Sequence, residues 1–120
     1  MKRRTGGGPR SLMSPAALHI LMALADAPRH GLAVKEDIED RTDGGMVLGP
    51  GTLYEAIHRM VRDGWVEEAP ELAAEDGDSR RKYYRITRAG RMEMQSELAR
   101  LDRLVRDARS RRLMPKPGEA

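Results

Sequence analysis

Gly49-Pro50-Gly51-Thr52-Leu53-Tyr54-Glu55-Ala56-Ile57-His58-Arg59-Met60-Val61-Arg62-Asp63-Gly64 decides how the rest of the chain is read. Leu53, Ile57, Met60 and Val61 recur at i, i+4, i+7 and i+8, the spacing that lines one side of an α-helix. Gly51-Thr52 supplies a start signal, and Gly64 stands where a helix needs a left-handed stop. Away from the stripe lie Thr52, Tyr54, His58, Arg59 and Arg62, all hydrogen-bond donors. An apolar back and a donor-rich front suit a major groove, where phosphates and guanine edges accept. A plain solvated amphipathic helix reads the same way, so the flanking segments have to decide.

Upstream, Ser14-Pro15 reads as an N-cap followed by proline at the first helical position, opening a helix to about Ala27 that Pro28 ends. Leu18, Leu21, Met22 and Ala25 form one apolar face and Ile20 with Leu24 a second. A helix apolar on two sides must be covered twice, and another subunit is one source of the second cover. Arg29-His30-Gly31 is a turn, and a second helix spans about Leu32 to Arg41 until Asp43-Gly44-Gly45 breaks it. Two helices joined by a short connection, the second with a donor-rich face, form a helix-turn-helix pattern.

Downstream of Gly64 the period shortens. Trp65 to Ala69 and Tyr83 to Thr87 are strand-like, and Pro70 to Lys82 between them is polar, with a turn signal at Asp76-Gly77-Asp78. The expectation is a two-stranded hairpin with a long flexible tip, a wing whose Arg80, Arg81 and Lys82 stand where phosphates or a minor groove would be met. Thr87 then caps a helix from about Arg88 to Leu113. Met94, Leu98, Leu101, Val105 and Ala108 repeat within it at alternating four and three, a short heptad seam. With Leu18 from the first helix, Met94, Leu98, Leu101 and Val105 are the expected dimer contacts. The fold class is therefore mainly α with a small β-hairpin, a winged helix-turn-helix with a long C-terminal dimerisation helix. Residues 1–13 are read as a flexible basic arm, 14–87 as the DNA-binding domain, 88–113 as the dimerisation helix and 114–120 as a tail.

Composition narrows the function. The net charge of +3 and pI of about 9.6 are modest, but the charges are segregated. Lys2, Arg3, Arg4 and Arg10 open the chain without an acid among them, and Arg80, Arg81, Lys82, Arg85, Arg88 and Arg91 form a second cluster. No cysteine is present, which removes disulfides, thiolate zinc sites and cysteine nucleophiles together. His19, His30 and His58 are scattered, so no metal site is expected, and no phosphate loop or serine elbow points to an enzyme or a cofactor. No apolar run reaches membrane-spanning length, and a cytoplasmic protein is the expectation.

Gly49-Pro50-Gly51-Thr52-Leu53-Tyr54, then Ala56-Ile57-x-Arg59-Met60 and Asp63-Gly64-Trp65-Val66-Glu67, resemble the signature of PadR-family transcriptional regulators. Arg81-Lys82-Tyr83-Tyr84-Arg85-Ile86-Thr87-x-Ala89-Gly90 and His30-Gly31 resemble two further motifs of that family, and the likeness covers roughly residues 14–112. The single C-terminal helix resembles the short subclass. The resemblance implies a winged helix-turn-helix homodimer built from the first and last helices. It also implies a repressor-like binder of a double-stranded DNA operator, often released by a small ligand. Gly51, Thr52, Tyr54, His58, Arg59, Arg80, Arg81 and Lys82 are the candidate DNA contacts. Glu55 departs from the proline or small residue common in the family, His58 from a basic or polar one, and Leu32 from an aromatic after the His-Gly pair.

Two other readings compete. Glu55 and the acidic half of the wing suit a winged-helix protein-interaction module that has lost DNA binding. Met22, Met92 and Met94 suit an adaptable pocket at a dimer interface for a small aromatic or apolar effector, although methionine at helical spacing more often fills a core.

Overall fold

The first helix begins where Ser14 Oγ accepts a hydrogen bond from the Ala17 N–H (3.1 Å) and Pro15 takes the first helical position. The computed structural model describes residues 13–77 and 80–118. The arm expected over residues 1–13 therefore lies outside the described residues except for Met13, as do Asp78 and Ser79 in the wing. In chain order the elements are α1 (Pro15–Asp26), β1 (Arg29–His30), α2 (Gly31–Arg41), α3 (Pro50–Arg62), β2 (Val66–Glu68), α4 (Pro70–Asp76), β3 (Tyr83–Ile86) and α5 (Arg88–Ser110).

Helix α1 is the centre of the core. Leu18, Ile20, Leu21, Ala23 and Leu24 are all buried, and the helix packs on α2, α3, β3 and α5. Ile20 and Leu24 of the second face, with Leu18 and Leu21 of the first, are thus covered from within the chain, while Met22 and Ala25 stay half-buried. Leu18 and Met94, expected at a dimer interface, belong to this internal core. Helix α2 contributes Val34 and Ile38, and α3 contributes Leu53, Ile57 and Met60. Arg29 closes the end of α1 by donating from Nε to the Ala23 carbonyl (2.9 Å), which supplies a partner to a terminal C=O. Ion pairs tie α2 to the end of α1: Asp37 holds Arg41 at 2.7 Å and Arg29 at 3.8 Å, and Arg41 reaches on to Asp26.

Three departures from the sequence reading concern the wing and its surroundings. The sheet has three antiparallel strands in the order β1-β3-β2, with Arg29 opposite Tyr84, His30 opposite Tyr83 and Val66 opposite Ile86. Arg29-His30 is therefore a strand and not only a turn; two residues are too few to show alternation. Pro70 to Asp76, expected as a flexible tip, is a helix that Gly77 ends at φ +79°. Proline at its start, Glu71 in its first turn and glycine after its end are ordinary helix signals. In so short and polar a segment they resemble loop chemistry. Helix α3 also starts earlier than Gly51-Thr52 suggests: Gly49 is its N-cap and Pro50 its first residue. Its stop is at Gly64, which has φ +81°.

Thr87 fastens the wing to the last helix. Its Oγ1 accepts from the Gly90 N–H (3.0 Å) and donates to the Gly64 carbonyl (2.6 Å), joining the start of α5 to the end of α3. At the same joint Gly90 lies against the backbone of Trp65, so close that a Cβ would overlap the Trp65 carbonyl. Helix α5 then runs away from the core. The radius of gyration is 16.7 Å, against roughly 13 Å for a compact domain of this length.

Gly90→Ala should therefore force α5 off Trp65 and cost about 1–3 kcal/mol, as overpacking does. A thermal melt followed by circular dichroism should fall by roughly 5–20 °C. Gly51→Ala, where a Cβ meets nothing within 4 Å, should leave the melt unlowered.

Candidate nucleic-acid interface

Because Leu53, Ile57 and Met60 turn inward, the opposite side of α3 is left to solvent, and Gly51, Thr52, Tyr54, Glu55, His58, Arg59 and Arg62 are all exposed. Thr52 is not the helix cap, since the cap at Gly49 makes no side-chain hydrogen bond. Thr52 is exposed on the outer face. Arg59 projects with 57 % of its side chain exposed, and one of its Nη atoms lies 3.4 Å from an oxygen of Glu55 one turn earlier. That i, i+4 pair gives Glu55 a local partner and holds the guanidinium over the same face.

Tyr54 is fixed from behind. Its ring and hydroxyl lie against Gly31, where any Cβ would collide with them, while 39 % of the residue stays exposed. The His58 ring is 6.4 Å from the Tyr54 ring, centroid to centroid. Gly31 is held in turn by His30, whose Nδ1 accepts from the Ala33 N–H (3.2 Å) to cap α2 and whose ring meets Tyr83 edge-on at 5.3 Å. The His30-Gly31 pair thus ties α2 to the sheet and makes room for the tyrosine of α3.

The wing completes a cleft of about 380 Å³. Tyr54 and His58 of α3, Arg80, Arg81 and Lys82 of the wing, and Tyr84, His30, Gly31 and Leu32 together line it. Five of the eight candidate DNA contacts are brought together here. Gly51, Thr52 and Arg59 are not among its lining residues and sit on the neighbouring exposed face of α3. His30, Gly31 and Tyr84 were not among the candidates, although the His-Gly pair and the Tyr-Tyr pair were visible as motifs; their role depends on long-range packing. Leu32, half exposed at 51 %, lies on this rim.

Charge is divided within the wing. Arg85 is engaged by Glu67 (2.9 Å) and Glu71 (2.6 Å), and its side-chain hydrogen bond holds the Glu71 carboxyl below the usual carboxylate range. Arg81 lies 3.5 Å from Asp76. Burial pushes the Tyr84 phenol above its ordinary range, with Glu68 and Tyr54 adding to the effect. Among the described residues no group of three or more His, Asp or Glu side chains could hold a metal ion.

Of the five expected dimer contacts, Leu98 (36 % exposed) keeps the most surface, and Leu101 and Val105 are half-buried. Leu104, outside the expected seam, is 55 % exposed. Of the three methionines expected to line an effector pocket, Met94 is in the core, Met22 packs against that core, and Met92 is 61 % exposed.

A family model described as the transcriptional regulator PadR-like family matches residues 20–96. Transcriptional regulator Rv3488 of Mycobacterium tuberculosis is 36 % identical over 90 residues, which are 75 % of this chain and 78 % of that protein. Among solved structures, a PadR family transcription regulator from Clostridium difficile R20291 superposes with a TM-score of 0.68 at 20 % identity, covering 84 % of this chain and all of its own. A transcriptional regulator from Clostridium thermocellum gives 0.67 at 23 % identity, covering 79 % and 87 %. Both likenesses are of fold, and in this chain that fold is mainly helical with a three-stranded antiparallel sheet and a long last helix.

The contact between Gly31 and Tyr54 can be measured by a double-mutant cycle. Gly31→Ala alone should destabilise by about 1–3 kcal/mol. In a Tyr54→Ala background the same change should cost clearly less, because the ring it strikes is gone. Equal costs in both backgrounds, read from urea denaturation, would show that Gly31 is required for another reason.

Proposed function

The chain belongs to the PadR-like family of transcriptional regulators and is not an enzyme, and from that premise we propose that it is a dimeric repressor that binds an inverted-repeat DNA operator. The observation that carries this reading is the cleft between α3 and the wing. It is lined jointly by Tyr54 and His58 of the donor-rich helix and by Arg80, Arg81 and Lys82 of the wing, which supports a single surface. In this reading residues 14–87 grip DNA, with Gly51 and Thr52 at a phosphate wall, Arg59 over base edges and the wing cations on the backbone beyond. One such module buries only about 600–1,000 Å² on DNA, too little for tight specific binding. A pair is needed, and its half-sites would lie about one helical turn apart.

Residues 88–113 would make the pair. Helix α5 leaves the core with Leu98, Leu101, Leu104 and Val105 at least partly uncovered, and a second copy of α5 would bury them. Each such side chain contributes on the order of 1.5–3 kcal/mol when buried. A small aromatic or apolar effector that releases the DNA would enter between the copies, where Met92 is exposed. No helix among the described residues is long and apolar enough to cross a membrane, which is compatible with action on DNA in the cytoplasm.

A gel-shift titration on the protein's own upstream region should give one dimer per inverted repeat, with affinity falling steeply as salt rises. Arg59→Ala should weaken specific binding roughly tenfold or more, while Lys82→Ala should weaken all sequences alike and lower the salt slope by about one per subunit. The competing protein-interaction reading, favoured by the 77 % exposure of the Glu55 side chain, would instead leave both variants without a DNA phenotype.

A further inference from the structure

Glu55 occupies an awkward place for a carboxylate. On a helix that turns about 100° per residue, the buried trio Leu53, Ile57 and Met60 fixes the inward direction, and Glu55 points almost directly opposite. Arg59 and His58 flank it, and Arg62 follows two turns along the same line. An α-helix with side chains is about 10–12 Å across and the major groove about 12 Å wide. A docked α3 therefore brings its sides, where Thr52 and Tyr54 lie, to the phosphate walls and its outermost residues, Glu55 with Arg59 close beside it, to the floor. Toward a wall Glu55 would be repelled. At the floor it meets base edges, where it needs a donor.

Helix stability does not account for it. An exposed i, i+4 pair such as Glu55 with Arg59 contributes little, and the Glu55 side chain is 77 % exposed. On the groove floor the available donors are the amino groups of cytosine and adenine. Adenine sets the N7 acceptor beside its amino group, facing the second carboxylate oxygen, whereas cytosine sets a C–H there. The carboxylate therefore discriminates in favour of cytosine.

We propose that Glu55 reads the N4 amino group of a cytosine in each operator half-site, with Arg59 donating to the O6 and N7 of a guanine within two base steps of it. The spacing follows from geometry. Side chains four apart on a helix have Cβ atoms about 5–6 Å apart, and bases stack about every 3.4 Å. The Glu55–Arg59 contact keeps both groups over one short run of sequence before DNA arrives. This inference rests on the DNA-binding reading above and adds to it a base preference belonging to this chain's own glutamate.

The test is selection from a pool of inverted repeats with randomised half-sites, using the full-length wild type, Glu55→Ala and Glu55→Gln, each checked by thermal melt. The wild type should enrich cytosine about tenfold or more over other bases at one position per half-site. Glu55→Ala should lose that preference at that position alone and keep the others. Glu55→Gln should move it toward adenine, whose N6 and N7 suit an amide. Unchanged base preferences in Glu55→Ala, or adenine selected by the wild type at that position, would overturn the inference while leaving DNA binding intact. A wild type that enriches no sequence would remove the DNA-binding reading and this inference with it.

Discussion

The direction in which α3 faces is set by burial of Leu53, Ile57 and Met60 against α1 and the rest of the core. Each of these side chains contributes on the order of 1.5–3 kcal/mol when removed from water. Turning the helix so that Glu55 or Arg59 faced inward would forfeit that and bury an uncompensated charge at several kcal/mol more. The orientation is therefore not adjustable by small changes elsewhere. Everything proposed about recognition depends on it, because it delivers Thr52, Glu55, His58 and Arg59 to the outside as one surface.

A second constraint fixes the wing relative to that surface. Thr87 bonds both the end of α3 and the start of α5, and Gly90 allows the last helix to touch the backbone of Trp65. The strand pairing of β2 with β3 begins at this joint, so the wing cannot swing without disturbing it. On the other side, β1 pairs with β3 and places His30 and Gly31 beneath Tyr54. The cleft between α3 and the wing is thus held at both ends by backbone contacts, and its cations are presented by a supported frame. The same joint sends α5 outward, where its uncovered leucines are left for another surface.

Much of this was legible in the sequence because the signals were local. The i, i+4, i+7 stripe of α3, the Ser14-Pro15 start of α1 and the Thr87 cap each specify an element without knowledge of its neighbours, and the motifs around them carried the family. What stayed hidden depends on long-range packing. Arg29-His30 becomes a strand only because Tyr83-Tyr84 arrives beside it. Leu18 and Met94 have the pattern of interface residues, yet α1 and α5 of one chain already cover them. Pro70 to Asp76 is ambiguous for the opposite reason: its helix signals are local, but acidity and shortness give it the profile of a loop. In the candidate site, cations and donors could be named from sequence, while their support by Gly31 and Tyr84 could not.

An amide chemical-shift titration of the labelled protein with a duplex carrying its operator would test most directly whether the outer face of α3 and the wing form one DNA-binding surface. Resonances of Thr52 through Arg62 and of Arg80 through Lys82 should move together and saturate at the same DNA concentration, while those of α2 beyond its first turn stay in place. Shifts confined to α5 or to the acidic face of α2, with α3 unmoved, would contradict it.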